Sequence, residues 1–408
     1  MSSASGSSAK APHFPLGFPR QYGDYVLLRS LGRGGMGEVF LAKHEGMAGI
    51  DQLCVLKVIP FRCGDQNNLL QRFMDEARVM VNLRHGNLCH VFDVGTVEQD
   101  CYLAMAYIPG VTLRFLSKQL QKQQSDCPPE IALFLMCQVL EALDYAHRQT
   151  HAATGEPMRL VHRDVSPQNV MVSYEGEITL IDFGIAASTL KQARTATDMV
   201  AGKVQYMAPE QARGEPLSQA CDQYAAAVIL YELLVGERFY GKRNMAEVWA
   251  ISSMGDFSPD KMGTIEGSLR LVLEKALSGD PVDRYPDCEA FAHALADVLR
   301  TLPVVNKKSV RAFIRSLFEA EYEAEQEFQA LVAKLKTTQV AKGRSQASAS
   351  AEKNETEQSS QSGLIFAICF ALALGALVFG ISLMLGGQEG KTQDTVPKAR
   401  ADDAAQEE

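Results

Sequence analysis

The sequence predicts an α+β protein with a small sheet-rich lobe, a larger helical lobe and one membrane-spanning helix near the C-terminus. Short strand-like runs surround one helical segment, at 67–83, between residues 25 and 107, whereas helical periodicity dominates residues 111–299. Residues 364–385 are apolar and carry no charge. The predicted segments are a disordered tail at 1–20, the two lobes at 21–300, a helical juxtamembrane extension at 301–336, a flexible linker at 337–362, the membrane helix at 363–386 and a short acidic tail at 387–408.

The composition limits the classes of protein to which this chain can belong. The chain has 408 residues, of which 46% are hydrophobic, enough for one large two-lobed domain or two ordinary domains. A net charge of −9 argues against a nucleic-acid partner, which requires a basic surface. Nine scattered cysteines without a CxxC pair indicate reduced thiols rather than a disulfide framework or a zinc site. The first 20 residues lack the apolar core of a signal peptide.

The uncharged stretch at 364–385 predicts a transmembrane helix in contact with lipid. A helix of this length spans about 33 Å, which matches a hydrocarbon core of about 30 Å. The alternative is a buried core helix, but few soluble helices are apolar on every face over such a length. Basic residues flank both ends of the stretch, so their distribution does not set the orientation.

The extension carries a helical pattern at 308–335. Two apolar stripes are separated by five glutamates between residues 319 and 327. We expect a helix that packs on the large lobe or lies exposed beside it, and a dedicated partner site is the alternative. The following residues, 337–362, are mostly Ser, Ala, Gln and Lys, a composition typical of a flexible linker.

The run GRGGMGEV lies between two strand-like runs, and its glycines at 32, 34 and 37 have the spacing GxGxxG. Glycine lets a hairpin backbone lie close over phosphate oxygens without a side-chain clash. The same spacing occurs in dinucleotide-binding folds and in plain turns, but strands on both sides favour a phosphate-covering hairpin over a strand-turn-helix.

A lysine and a glutamate follow at a suggestive spacing. Lys57 ends the apolar run CVLK, and Glu76 lies in the helical run RFMDEARVM, 19 residues later. A strand lysine paired with a helix glutamate can hold the α- and β-phosphates of a nucleotide. Taken in isolation, both residues are ordinary surface charges.

The most specific signal is LVHRDVSPQNVMVS followed by LIDFG. It contains His-Arg-Asp at 162–164, Asn169 five residues after the aspartate, and Asp-Phe-Gly at 182–184. With the glycines, the lysine and the glutamate, this set resembles the protein-kinase superfamily over residues 22–299. Chance recurrence of these motifs in this order and spacing is negligible. The resemblance implies the two-lobed protein-kinase fold.

The resemblance also implies roles for single residues. Asp164 accepts or orients the proton of a substrate hydroxyl, while Asn169 and Asp182 hold Mg²⁺, or alternatively Mn²⁺, against the phosphates of ATP. Lys57 and Glu76 form the phosphate-holding pair. Without this context, Asp182 is interpreted as the cap of a turn.

The segment AMAYIPG resembles the adenine hinge, with Met105 as gatekeeper. Backbone groups of Ala106 and Ile108 are implied to meet the base, so the alanine, where the family usually has glutamate, matters little. The residues implied to bind the nucleotide are Leu31, Gly32, Arg33, Gly34, Gly35, Met36, Gly37, Val39, Val55, Lys57, Met105, Ala106 and Ile108.

The segment MAPEQ at 207–211 resembles the end of an activation segment, whose Glu210 pairs with Arg284 in the family. Asp222 matches an aspartate that braces the catalytic loop. Thr195 and Thr197, in RTATD, are phosphosite candidates, since Arg163 is a cation that an activation-segment phosphate meets. The alternative is that both threonines are ordinary polar loop residues.

Two positions depart from the family pattern. The lysine usually found two residues after the catalytic aspartate is Ser166, and the threonine usually found in GTxxY is Lys203. Because these side chains approach one another in kinase folds, we interpret the two changes as an exchange that keeps a cation at the site. HRDVSPQN with GKxxY resembles a subgroup of bacterial eukaryotic-like, or Hanks-type, Ser/Thr kinases abundant in myxobacteria.

The sequence therefore predicts a Ser/Thr protein kinase that acts on protein substrates and autophosphorylates. The use of ATP places its kinase domain on the cytoplasmic side of a bacterial inner membrane. Small residues at 371, 375, 376 and 380 allow the membrane helices of a homodimer to pack. One alternative is a membrane-tethered pseudokinase scaffold, which Ser166 and Ala106 favour against an otherwise complete catalytic set. A second is a small-molecule phosphotransferase, which the full activation segment disfavours.

Overall fold

An antiparallel sheet forms the small lobe of the computed structural model. Its strands are β1 (Arg20–Tyr22), β2 (Tyr25–Gly34), β3 (Gly37–Glu45), β4 (Asp51–Pro60), β5 (Val91–Val97) and β6 (Asp100–Ala106). They lie in the order β1-β2-β3-β4-β6-β5. Alternation along β4 buries Cys54, Leu56 and Val58 with Phe40 in one cluster, so Val55 and Lys57 point to the opposite face, toward the large lobe.

The structure describes residues 15–34, 37–45, 51–60, 77, 79–98, 100–151, 154–183 and 204–335, all within the unit Met1–Thr337. Of the helix predicted at 67–83, residues 77 and 79–83 are described; residues 77 and 79–82 are helical, and Leu83 follows the end of the helix. Across these ranges, no helix is long and apolar enough to cross a membrane. The predicted membrane helix at 363–386, the linker at 337–362 and the acidic tail at 387–408 lie outside the described residues.

The small lobe begins earlier than the sequence indicated. The ring of Phe18 packs 6.2 Å from that of Phe40, measured between centroids. The Arg20 guanidinium lies 5.4 Å from the Phe18 ring and 5.3 Å from the Phe40 ring. Residues 15–20, which we assigned to a disordered tail, therefore cover part of the sheet, because an aromatic ring finds apolar surface there. Residues 1–14 lie outside the described part of the chain.

Helices dominate the large lobe. They are α1 (Leu113–Gln123), α2 (Pro129–His147), α3 (Pro209–Arg213), α4 (Ala220–Val235), α5 (Met245–Met254), α6 (Gly267–Ala276) and α7 (Cys288–Leu299). A small sheet of β7 (Gly110–Thr112), β8 (Val170–Ser173) and β9 (Ile178–Leu180) joins this lobe to the hinge. Almost every residue of α4 is buried, which explains why its sequence is apolar on all faces.

The extension forms two helices, α8 (Lys307–Leu317) and α9 (Glu319–Ala333), and not the single helix we expected. The break falls at Phe318, whose ring is fully buried. Helix α8 packs against the β8–β9 turn, where Lys307 forms an ion pair with Glu177. Gly176 in that turn has a φ of +81°, and a Cβ there would lie 2.3 Å from the Lys307 carbonyl oxygen, so this packing requires glycine.

Candidate active site

A cavity of about 770 Å³ lies between the small sheet and the large lobe. Its volume is typical of a small-molecule site. The predicted nucleotide-binding residues in its wall are Leu31, Gly32, Val39, Val55, Lys57, Met105, Ala106 and Ile108. Arg33, Gly34 and Gly37 belong instead to the end of the β2–β3 hairpin, and Gly35 and Met36 lie outside the described residues.

The glycine-rich segment is a hairpin, as the flanking strands indicated. Gly34 is opposite Gly37 in the register of β2 and β3. Gly37 has a φ of +135°, and a Cβ at this position would lie 2.0 Å from the Val58 carbonyl oxygen. This close approach of two backbones explains why the position requires glycine.

Two hydrogen bonds, one of them from a side chain, fix the hinge segment at Ala106. The Ala106 N–H donates to the His90 carbonyl at 2.9 Å. The Cys89 thiol donates to the Ala106 carbonyl at 3.7 Å. Burial raises the pKa of Cys89 to about 12, and the nearby Asp182 carboxylate adds to the shift. Met105 is buried in the cluster that backs the cavity, a position that fits its predicted role as gatekeeper.

Lys57 and Asp182 meet on the cavity wall. The Lys57 Nζ lies 2.7 Å from Asp182 Oδ1, with side-chain exposures of 16% and 32%. The strand β4 supplies the lysine, and the segment after β9 supplies the aspartate, whose φ of +57° is unusual for a residue other than glycine. Glu76, the predicted partner of Lys57, lies outside the described residues.

Asn169 connects Asp164, the predicted catalytic aspartate, to the cavity. Its side-chain N–H group donates to the Asp164 carbonyl at 2.8 Å and to Asp164 Oδ2 at 3.0 Å. These bonds turn the amide oxygen of Asn169 away from Asp164. Because Asn169 and Asp182 both line the cavity, an amide oxygen and a carboxylate are available there, and oxygen donors of this kind fit Mg²⁺.

Asp222 holds the catalytic loop from beneath. Its carboxylate accepts hydrogen bonds from the backbone N–H groups of His162 and Arg163 and from the His147 ring, each at 2.8 Å. Burial alone raises the pKa of Asp222, but these hydrogen bonds and the two histidines outweigh it, so the pKa lies below its usual value. The brace fixes Arg163 at a φ of +63°.

The predicted pair of Glu210 and Arg284 is confirmed. The two side chains form a fork-to-fork ion pair at 2.7 and 2.8 Å, with exposures of 3% and 0%. Arg284 also donates to the carbonyls of Ser278 and Ala220, so most of its donors are satisfied. The pair fixes the start of α3, where the activation segment ends, to the large lobe.

Ser166 is 5% exposed and lines a small cavity together with Asp164 and Tyr206. Lys203, its predicted exchange partner, lies outside the described residues. The structure resumes one position later with a 3₁₀ turn, Val204–Tyr206, that reaches the same small cavity. The phosphosite candidates, Thr195 and Thr197, also lie outside the described part, so both interpretations stay predictions.

The cavity has walls that the motifs did not indicate. They comprise Arg29, Cys89, Tyr107, Gly110, Thr112, Gln168, Met171, Tyr174, Ile181, Glu321, Ala324 and Glu325. Met171 stood within NVMVS, two residues after Asn169, so the sequence contained a local signal for it. The three residues of α9 carried no such signal, because an acid-rich helix is ordinarily a solvated one.

A lysine and an aspartate on one cavity wall, beside an asparagine that orients a second aspartate, define a phosphotransferase site of the two-lobed type. Residues 25–296 match the protein kinase domain. The chain therefore belongs to the protein kinase family, and its relatives place it with the bacterial, Hanks-type members.

Two curated relatives illustrate the similarity. The tyrosine-protein kinase MasK of Myxococcus xanthus is 35% identical over 280 residues, which are 68% of this chain and 43% of MasK. The serine/threonine-protein kinase PknF of Mycobacterium tuberculosis is 34% identical over 289 residues, which are 69% of this chain and 57% of PknF. The chain thus spans about half the length of these relatives.

A solved structure agrees with the fold. The crystal structure of the Mycobacterium tuberculosis PknI kinase domain has a TM-score of 0.53 with this chain at 28% identity. The superposition covers 70% of this chain and 98% of that domain.

Proposed function

We propose that this chain is a bacterial Ser/Thr protein kinase that transfers the γ-phosphate of ATP to hydroxyl groups of protein substrates. The observation that carries the proposal is the hydrogen-bonded link from Asp164 through Asn169 to the cavity wall. The link connects Asp164, which can accept a proton, to the side-chain oxygens of Asn169 and Asp182, which can bind a metal ion. A relative from Bacillus subtilis is named serine/threonine-protein kinase PrkC, and one from Lactococcus lactis is named probable serine/threonine-protein kinase PknB, which supports the acceptor class.

When bound, ATP with Mg²⁺ or Mn²⁺ supplies the transferable phosphoryl group. Asn169 and Asp182 would hold the metal by their oxygens, and Lys57 would neutralise phosphate charge from the opposite lobe. Asp164 accepts a hydrogen bond from the substrate hydroxyl and takes its proton as transfer proceeds. The Asn169 amide keeps the Asp164 carboxylate oriented, and Asp222 keeps the loop that carries it in place.

The test compares the full chain with three variants in ATP and Mg²⁺. Asp164→Asn and Lys57→Ala should each reduce phosphate transfer about a hundredfold or more. Lys118→Gln, an exposed substitution on α1, is the matched control. Phosphoamino-acid analysis should find phosphoserine or phosphothreonine.

Nucleotide binding without any transfer by the wild-type protein would support the pseudokinase alternative, and phosphotyrosine alone would contradict the Ser/Thr assignment.

We further propose that residues 364–385 anchor the chain in the bacterial inner membrane, with lipid around the helix and the kinase domain in the cytoplasm. Encounters within a homodimer then place Thr195 or Thr197 in a second active site. The apolar sequence supports the anchor. The full chain should resist alkaline extraction from membranes, and Leu374→Arg with Leu377→Arg should release it. Phosphopeptide mapping of active protein with neither threonine occupied would contradict the trans route.

A further inference from the structure

Helix α9 lies against the large lobe at its N-terminal end. The buried Phe318 ring stacks on Phe115 of α1, with centroids 5.4 Å apart. Tyr322 packs at 5.3 Å from Tyr174, a residue of the cavity wall that follows β8. This end of α9 therefore belongs structurally to the large lobe.

The C-terminal half of α9 reaches the small lobe. The Arg29 guanidinium, on β2, donates to Glu325 Oε2 at 3.3 Å and lies 4.5 Å from the centre of the Phe328 ring. The Lys43 ammonium, on β3, donates to the Leu335 carbonyl at 2.6 Å. Lys43 is only 3% exposed. The extension therefore covers an ammonium group that water would otherwise solvate.

The same helix touches the hinge. Burial, and after it the nearby Glu325 carboxylate, raise the pKa of the Tyr107 hydroxyl far above its usual value. The Tyr107 hydroxyl thus remains a donor at every physiological pH. Glu325 therefore lies against the hinge and β2 at the same time, and it is only 8% exposed.

Helix α9 walls the nucleotide cavity without filling it. Glu321, Ala324 and Glu325 line the cavity, yet about 770 Å³ remains, within the range that holds a drug-sized or nucleotide ligand.

We infer that α9 is a wall of the nucleotide site and a strap that fixes the distance between the lobes, with Glu325 as its positioning residue. Nucleotide binding and docking of α9 are then coupled, so each strengthens the other by the same factor. This inference rests on the proposed function, because it assumes a nucleotide in the cavity. It adds residues beyond 296, where the family match ends, to the machinery that binds the nucleotide.

The first experiment measures the affinity of the full chain for a fluorescent, non-hydrolysable ATP analogue with Mg²⁺. Glu325→Gln keeps the shape of the side chain and removes its charge, and Arg29→Gln removes the partner. Each should weaken binding about tenfold, or 1.4 kcal/mol. The double variant should be no weaker than the single ones, because both remove one interaction. Glu323→Gln, an exposed position on the same helix, is the control and should bind like wild type.

The second experiment follows amide hydrogen exchange in α9. Adding the analogue should slow exchange in the wild type and in Glu323→Gln, and change it much less in Glu325→Gln. Ala324→Phe provides a variant that leaves the Arg29 ion pair intact but places a larger side chain in the cavity wall. It should also weaken binding, and thermal melting confirms that each variant is folded.

The outcomes separate the two proposals. If the wild type binds no nucleotide, the proposed function fails first. If the wild type binds and Glu325→Gln, Arg29→Gln and Ala324→Phe all bind equally well, α9 is not part of the site and the inference is overturned. Tighter binding in these variants also overturns it, because α9 would then oppose the nucleotide rather than wall its site.

Discussion

Replacement of Asp222 with asparagine removes a charge while conserving shape, which makes it a sharp test of the catalytic-loop brace. The carboxylate, 1% exposed, accepts three hydrogen bonds at 2.8 Å, from His147, His162 and Arg163. An asparagine offers one oxygen, and its amide group must face one of the donors. In the wild type Oδ2 accepts from His147 and His162, and Oδ1 accepts from Arg163, so an amide nitrogen in the place of Oδ1 leaves the Arg163 N–H without an acceptor.

The magnitude follows from these contacts. Loss of one hydrogen bond to a charged group costs about 1.5–3 kcal/mol, and a buried donor left without a partner costs about 1–3 kcal/mol more. We therefore expect Asp222→Asn to lower the free energy of unfolding by about 3–5 kcal/mol. Arg163 is also released from its positive φ, so Asp164 shifts, and a displacement of about 1 Å can reduce turnover about a hundredfold.

The effect on unfolding also has a defined pH dependence. The folded-state pKa of Asp222 is below the usual 3.8, so its contribution is complete above pH 3.8 and lost as pH falls through the lower folded value. Guanidinium denaturation at neutral pH measures the stability, and phosphate transfer at saturating ATP measures turnover. Asp256→Asn, on the surface, is the matched control. A stability loss below about 1 kcal/mol with normal turnover would refute the brace.

Three further predictions concern other parts of the domain. Lys203→Thr and Ser166→Lys should each slow turnover about tenfold to a thousandfold, whereas the double variant should recover much of the rate; additive losses would contradict the exchange. Burial lowers the pKa of His85 below 6.5, so wild-type stability should fall as pH drops through 6.5, by at most about 1.4 kcal/mol per pH unit from this group. His85→Gln should show a shallower dependence in denaturation curves. Gly37→Ala should raise the KM for ATP and lower the melting temperature, because its Cβ meets the Val58 carbonyl; an unchanged KM would argue against the hairpin.

Much of the site was predictable because its functional residues lie in short, contiguous sequence motifs. Asp164 and Asn169 lie five residues apart in one loop, so their spacing nearly determines their contact. The pair of Glu210 and Arg284 is separated by 74 residues, and only resemblance to the family connected them. Lys57 was predicted on a strand, and the structure adds Asp182 as its direct contact.

The role of α9 was not predictable in the same way. Hydrophobic periodicity indicates that a helix has an apolar face but not which surface receives it. The sequence favoured packing on the large lobe, and the structure adds the small lobe and the hinge. Those added contacts depend on Arg29 and Lys43, two charged residues of the sheet that look solvated in sequence. The break at Phe318 is likewise a tertiary effect, since burial of one ring outweighs helix continuation.

The thiol of Cys89 has a consequence for chemical probes of this kinase. It lies in the cavity wall, where an electrophile carried by a nucleotide-like compound would find it. Only the thiolate attacks electrophiles, and a pKa of about 12 leaves roughly one molecule in 10⁵ ionised at pH 7. Covalent labelling of folded protein should therefore be slow. The rate of Cys89 alkylation therefore measures how often the hinge separates from the segment before β5 and exposes the sulfur to water.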